Sequence, residues 1–150
     1  MTAKRIEVLI VEDNPDDLEL ALRALERHNL ANHITVARDG AEALDIIFGN
    51  VPADQRPSTD VPWLILLDLK LPKVDGLEVL RQVKGDPRTS SIPVVILTSS
   101  DEEQDIVESY RLGVNSYLRK PVNFDKFVEI VRHFGLYWLL LNEMPPNNLI

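Results

Sequence analysis

The chain has 150 residues, 45% hydrophobic and 27% charged, which suits one soluble domain around a single core. Its 16 basic and 24 acidic residues leave a net charge of −8, and such a surface repels phosphate backbones, so nucleic-acid binding is excluded as a reading. The absence of cysteine excludes disulfides, thiolate catalysis and zinc–thiolate sites together.

From Met1 the chain passes through Lys4 and Arg5 into an apolar stretch, Ile6 to Val11. That stretch is too short for a signal-peptide core and lacks a cleavage site. It predicts a first strand. Four more apolar runs follow: His33 to Ala37, Trp63 to Leu67, Pro93 to Leu97 and Val114 to Leu118. The first, third and fourth runs are nearly continuous in Val, Ile and Leu, as strands covered on both faces of a parallel sheet are.

Helical spacing fills the intervals. Leu18, Ala21, Leu22 and Leu25 recur at i, i+3, i+4 and i+7, as do Phe124, Phe127, Val128 and Val131. Shorter stripes stand at Ala41, Leu44 and Phe48, at Leu77, Leu80 and Val83, and at Ile106, Val107 and Tyr110. Asn14 is placed to cap a helix beginning at Pro15. Asp39 with Glu42, and Ser100 with Glu103, have capping-box spacing. Gly49 to Pro62, with prolines at 52, 57 and 62, reads as a long surface loop. No stretch approaches the ~20 apolar residues of a membrane span. The expected setting is therefore the cytosol, away from membranes.

Strand–helix alternation repeated five times predicts an α/β fold: a five-stranded doubly wound parallel sheet, with the flavodoxin-like order 2-1-3-4-5 as the natural candidate. In such sheets, sites form at the carboxyl ends of the strands. Strand 1 ends in Glu12-Asp13, strand 3 in Asp68, strand 4 in Thr98-Ser99-Ser100, and strand 5 just before Arg119-Lys120-Pro121. Three carboxylates on one edge repel unless a cation compensates, and Mg2+ with oxygen ligands suits them. A carboxylate beside such a cation can attack phosphorus and become an aspartyl phosphate. Lys120 can offset charge on the phosphoryl oxygens, and Thr98 can donate a hydrogen bond to one. Taken singly, a strand-end Asp, a Lys-Pro turn or a Thr-Ser-Ser cap is unremarkable. All of them at the ends of strands 1, 3, 4 and 5 make a coherent set.

The stretches Val8-Leu9-Ile10-Val11-Glu12-Asp13-Asn14, Leu64 to Pro72 with Asp75-Gly76, Pro93 to Ser99, and Lys120-Pro121 give the chain a strong resemblance to response-regulator receiver domains of two-component systems. The resemblance spans about Arg5 to Phe134. It implies a receiver domain at 1–135 and phosphorylation of Asp68 by a sensor histidine kinase. It further implies Glu12, Asp13, Asp68 and the Lys70 backbone carbonyl around Mg2+, with Thr98 and Lys120 on the phosphoryl group. Tyr117 matches the family's switch aromatic, and a cis peptide before Pro121 is expected. Glu12 stands where Asp is more usual, and its extra methylene lets it reach the metal through water. The chain would be a phosphoacceptor that catalyses its own Mg2+-dependent phosphotransfer and dephosphorylation, not an enzyme acting on a separate substrate.

The run Leu136 to Leu141, within a 136–150 extension, reads either as a further turn of helix 5 on its own core or as an apolar arm that meets a second copy. With the Val11 to Asp17 opening, it resembles the small stand-alone regulators paired with bacterial phytochromes. That likeness implies a bacteriophytochrome kinase and a homodimer through helix 4, strand 5, helix 5 and the tail, with no effector domain. His28, His33 and His133 lack metal spacing and read as surface or boundary residues. A haloacid-dehalogenase-like hydrolase would want an acid at the position of Lys70. A flavin module would want a hydroxyl- and glycine-rich loop where Glu12 to Pro15 stands. A receiver that only docks, without phosphorylation, would not need the complete site.

Overall fold

The computed structural model describes residues 7–28, 33–49, 64–100 and 102–143, with side chains described as far as residue 134. The elements in chain order are β1 (Glu7–Val11), α1 (Pro15–Arg27), β2 (His33–Ala37), α2 (Gly40–Phe48), β3 (Leu64–Leu67), α3 (Gly76–Gly85), β4 (Val94–Thr98), α4 (Glu103–Arg111), β5 (Ser116–Arg119) and α5 (Phe124–Glu143). All pairings are parallel, as the alternation predicts, and the sheet order is β2-β1-β3-β4-β5, the candidate order. Ile6, Trp63 and the expected loop beyond Gly49 lie outside the described residues. Among the described residues, no helix is long and apolar enough to cross a membrane.

The continuous apolar strands are explained by two cores, one on each face. Val8, Ile10, Leu64, Leu66, Val95 and Leu97 meet α1 and α5. Their neighbours Leu9, Val11, Ile65, Leu67, Val94 and Ile96 meet α2 and α3. Successive strand residues point to opposite faces, so a strand covered twice is apolar between its ends, where Glu7 and Thr98 stand. Burial of each such side chain contributes about 2 kcal/mol.

Helix starts follow local chemistry. The Asn14 side chain accepts the Asp16 and Asp17 N–H groups, and Pro15 occupies the first helical position. Asp39 caps α2 through Glu42 N–H at 2.8 Å. Gly49 closes that helix in the left-handed region at φ 78°, where a side chain would be strained.

Four expectations are corrected in detail. The buried stripe of α2 is Gly40, Ala43 and Ile47, while Leu44 and Phe48 lie on its flank, because small residues let the helix approach the sheet. In α4 the buried residues are Asp105 and Ser109, whereas Val107 and Tyr110 are 52% and 54% exposed. Ser100 is not the cap of α4: the helix follows Glu102, and the Ser100 hydroxyl donates instead to Asp105 at 2.6 Å. β5 begins at Ser116, two residues later than expected. Gly113 turns the chain at φ 102°, Val114 packs into the core, and Asn115 reaches Val94 through both its backbone and its side chain.

The Asp75-Gly76 pair has a steric reason. Asp75 caps α3 through Leu77 N–H at 2.7 Å. A Cβ on Gly76 would overlap the Asp68 carbonyl oxygen and the Leu69 backbone, so only glycine lets α3 start this close to the end of β3. Gly76→Ala is therefore expected to destabilise the fold by about 2 kcal/mol or more, read as a lowered urea midpoint, because backbone must move to admit the methyl group.

Candidate functional site

The sheet ladder continues one residue past the strands and fixes the backbones that carry the site. Asp68 N–H donates to Val11 O at 3.0 Å, Glu12 N–H to Ala37 O at 3.0 Å, and Lys120 N–H to Thr98 O at 2.8 Å. Glu12, Asp68, Thr98 and Lys120 thus sit on adjacent strands at one edge. The peptide before Pro121 is cis, as expected.

The centre is an ion cluster. Lys120 Nζ donates to Glu12 Oε1 at 2.6 Å, to Asp17 Oδ2 at 2.7 Å and to Asp68 Oδ2 at 3.1 Å. Glu12 is 5% exposed and Asp68 7% exposed. Carboxylate oxygens of Glu12, Asp13 and Asp68 can all lie within 4.8 Å of one another. Asp13 is the exposed member of this trio. Four acids around one ammonium leave an excess of negative charge. The acid trio is an all-oxygen donor set, and it fits a hard divalent cation.

Electrostatics agree. Burial pushes the Glu12 carboxyl up to about 7, assisted by Asp68 and opposed by the Lys120 hydrogen bond. Burial works against the Lys120 charge, yet its hydrogen bonds to Asp17 and Glu12 and the field of Asp68 hold it above the ordinary lysine range. Lys120 therefore stays an ammonium, and the surplus charge falls on the acids.

The remaining expected residues surround this centre. Lys70 N–H donates to Asp68 Oδ1 at 3.2 Å. Its ammonium turns away to Asp105, at 3.4 Å. Thr98 is fully buried, and its Oγ1 accepts the Ser100 N–H at 3.3 Å, which leaves its own hydrogen free to donate. The Tyr117 hydroxyl donates to the Ser100 carbonyl at 2.9 Å, and burial pushes its phenol above the usual range. Thr98 at the end of β4 and Tyr117 on β5 thus both reach Ser100, in the loop beside the ion cluster.

Two residues join that the sequence does not single out. Asp17 lies in the first turn of α1, where an acid reads as a partner of the helix N-terminus. Asp105 lies within α4, where an acid reads as solvated surface. The usable signal for Asp17 was its place one turn beyond the Glu12-Asp13 pair, on the side facing the strand ends.

This fold and edge chemistry define a class. Residues 8–132 match the model of the response regulator receiver domain, and the chain belongs to that family. It is 54% identical to the bacteriophytochrome response regulator AtBRR, whose structure superposes with a TM-score of 0.77 over 93% of this chain and 99% of that one. The response regulator Rcp1 of Synechocystis sp. is 37% identical over 92% of each chain. The Mn2+-bound form of Rcp1 superposes with a TM-score of 0.75 over 91% of this chain and 95% of that one. The probable methanogenesis regulatory protein FilR2 of Methanothrix harundinacea is 41% identical over 92% of this chain and 86% of its own length.

The Glu12 shift has a sign that can be tested. A carboxyl raised from 4.5 to about 7 binds its proton more tightly when folded. It therefore stabilises the metal-free protein at low pH, and that contribution is lost as pH rises through this window. The urea midpoint of the metal-free protein should fall across it, and Glu12→Gln should flatten the slope. A carboxyl NMR titration should place the Glu12 midpoint near 7 and show Mg2+ driving it down.

Proposed function

We propose that the chain is a stand-alone response regulator whose Asp68 accepts a phosphoryl group from a sensor histidine kinase, in a bacteriophytochrome-linked pathway of the cytoplasm. The observation that carries this reading is the contact of Lys120 Nζ with Asp68 Oδ2 at 3.1 Å, inside an acid cluster fit for a divalent cation. One Asp68 oxygen forms the O–P bond as the P–N bond of the phosphohistidine breaks, and the departing imidazole takes up a proton from solvent. Lys120 offsets charge on the phosphoryl oxygens and Thr98 donates its hydroxyl hydrogen to one of them. Mg2+, held by Glu12, Asp13, Asp68 and the Lys70 carbonyl, would supply further charge neutralisation when bound. The same groups serve uptake and loss of the phosphoryl group, so the protein acts on itself.

Output passes through a surface. Tyr117 and Thr98 share the loop residue Ser100, so a change at the phosphoryl site reaches the face of α4, β5 and α5. Exposed Val107 and Tyr110 give that face apolar area. The backbone of α5 is helical to Glu143, through the run Leu136 to Leu141. A homodimer through this face and arm is the reading favoured here.

Incubation with Mg2+ and acetyl phosphate should give a base-labile adduct that Asp68→Asn abolishes; labelling that survives the substitution refutes Asp68 as acceptor. The dimer is tested by sedimentation of the full chain against a chain ending at Phe134. Loss of self-association in the shorter chain is expected, and identical monomers would remove the arm from the interface.

A further inference from the structure

The Lys120 ammonium has three hydrogens, and each has a carboxylate: Glu12 at 2.6 Å, Asp17 at 2.7 Å and Asp68 at 3.1 Å. Two of these acids belong to the trio suited to a cation, and Asp17 does not. Asp17 nevertheless holds one of the two short bonds, while the bond to the proposed acceptor is the longest.

Its position is built. Asn14 Oδ1 accepts the Asp17 N–H at 3.0 Å, and Asn14 N–H in turn donates to Glu12 Oε2 at 3.2 Å. Pro15 fixes the first turn between them. The carboxylate is thus locked in register with Glu12, with only about a third of its side chain exposed. Lys120 is independently fixed through its N–H on Thr98 O at 2.8 Å, so it does not depend on Asp17 for its place on the sheet edge.

We propose that Asp17 is a positioning residue that divides the charge of Lys120 between the two states of the site. With Asp68 unmodified, Asp17 draws the ammonium towards α1 and away from Asp68, whose bond is the longest, which frees that carboxylate for a cation. With a phosphoryl group on Asp68, the same pull competes with the phosphoryl oxygens for the ammonium. Asp17 therefore favours cation binding and opposes the phosphorylated form. This rests on the proposed role of Asp68.

The two effects have opposite signs, which a merely structural role would not produce. Asp17→Asn keeps an acceptor oxygen and removes the charge. Mg2+ alone, titrated calorimetrically, should bind the variant roughly fivefold more weakly, and beryllofluoride at saturating Mg2+ should bind it roughly fivefold more tightly, the scale expected of a partly exposed charge pair. Asp16→Asn, the neighbouring exposed acid, should leave both constants near wild type, and Asp17→Glu should restore them towards it. Weakening of both ligands together in Asp17→Asn, or equal effects in Asp16→Asn, overturns the proposal. Asp68→Asn serves as the separate control: if it still binds beryllofluoride, the assignment of Asp68 fails, whatever Asp17 does.

Discussion

One ammonium placed among several carboxylates is the interaction on which this structure turns. Lys120 from the end of β5 reaches Glu12 from β1, Asp17 from α1 and Asp68 from β3. Taking such charges out of water is costly, and their mutual attraction rarely repays it as stability. The cluster is better understood through what it prepares. An excess of acid awaits a cation, and an ammonium already stands beside the oxygen that would carry a phosphoryl group. Little reorganisation is then needed when charge arrives, and that is the main way a protein site stabilises it.

The sheet makes this placement possible by keeping charge out of the strand interiors. β1, β3 and β4 are buried along their whole length and, apart from Glu7 at the start of β1, carry no charge before their carboxyl ends. Parallel pairing brings those ends to one edge, and ladder bonds extend one residue beyond to hold Glu12, Asp68 and Lys120 by their backbones. Gly76 completes the arrangement, because its missing side chain lets α3 start against the Asp68 carbonyl. Apolar packing and site geometry are thus set by the same residues.

What could be read from the sequence divides along the same line. The parallel sheet and the strand-end chemistry were legible because continuous apolar runs need cover on both faces and leave charge to the strand ends. The contacts of Asp17 and Asp105 were not, because each side chain meets residues far away in sequence. Lys120 is 103 positions from Asp17. Ser100 had the spacing of a cap, but a buried acid in the first turn of α4 is the stronger acceptor for its hydroxyl. The stripe of Ile106, Val107 and Tyr110 had helical period, but periodicity does not say which side faces the core.

That last reversal bears on how the site is joined to its surroundings. The inner side of α4 is held by polar atoms: Asp105 takes the Ser100 hydroxyl and the Lys70 ammonium, and the Ser109 hydroxyl donates to the Asp105 carbonyl. Lys70 is two residues from Asp68, and Ser100 two from Thr98, so the groups that hold α4 belong to the loops that form the site. Ser100 also accepts the Tyr117 hydroxyl, which brings β5 into the same set. A helix attached in this way has little apolar burial to lose when it shifts, and its stability is local. The exposed apolar side of α4 is therefore carried by a helix whose buried residues are both polar and whose Asp105 is bonded to the loops around Asp68.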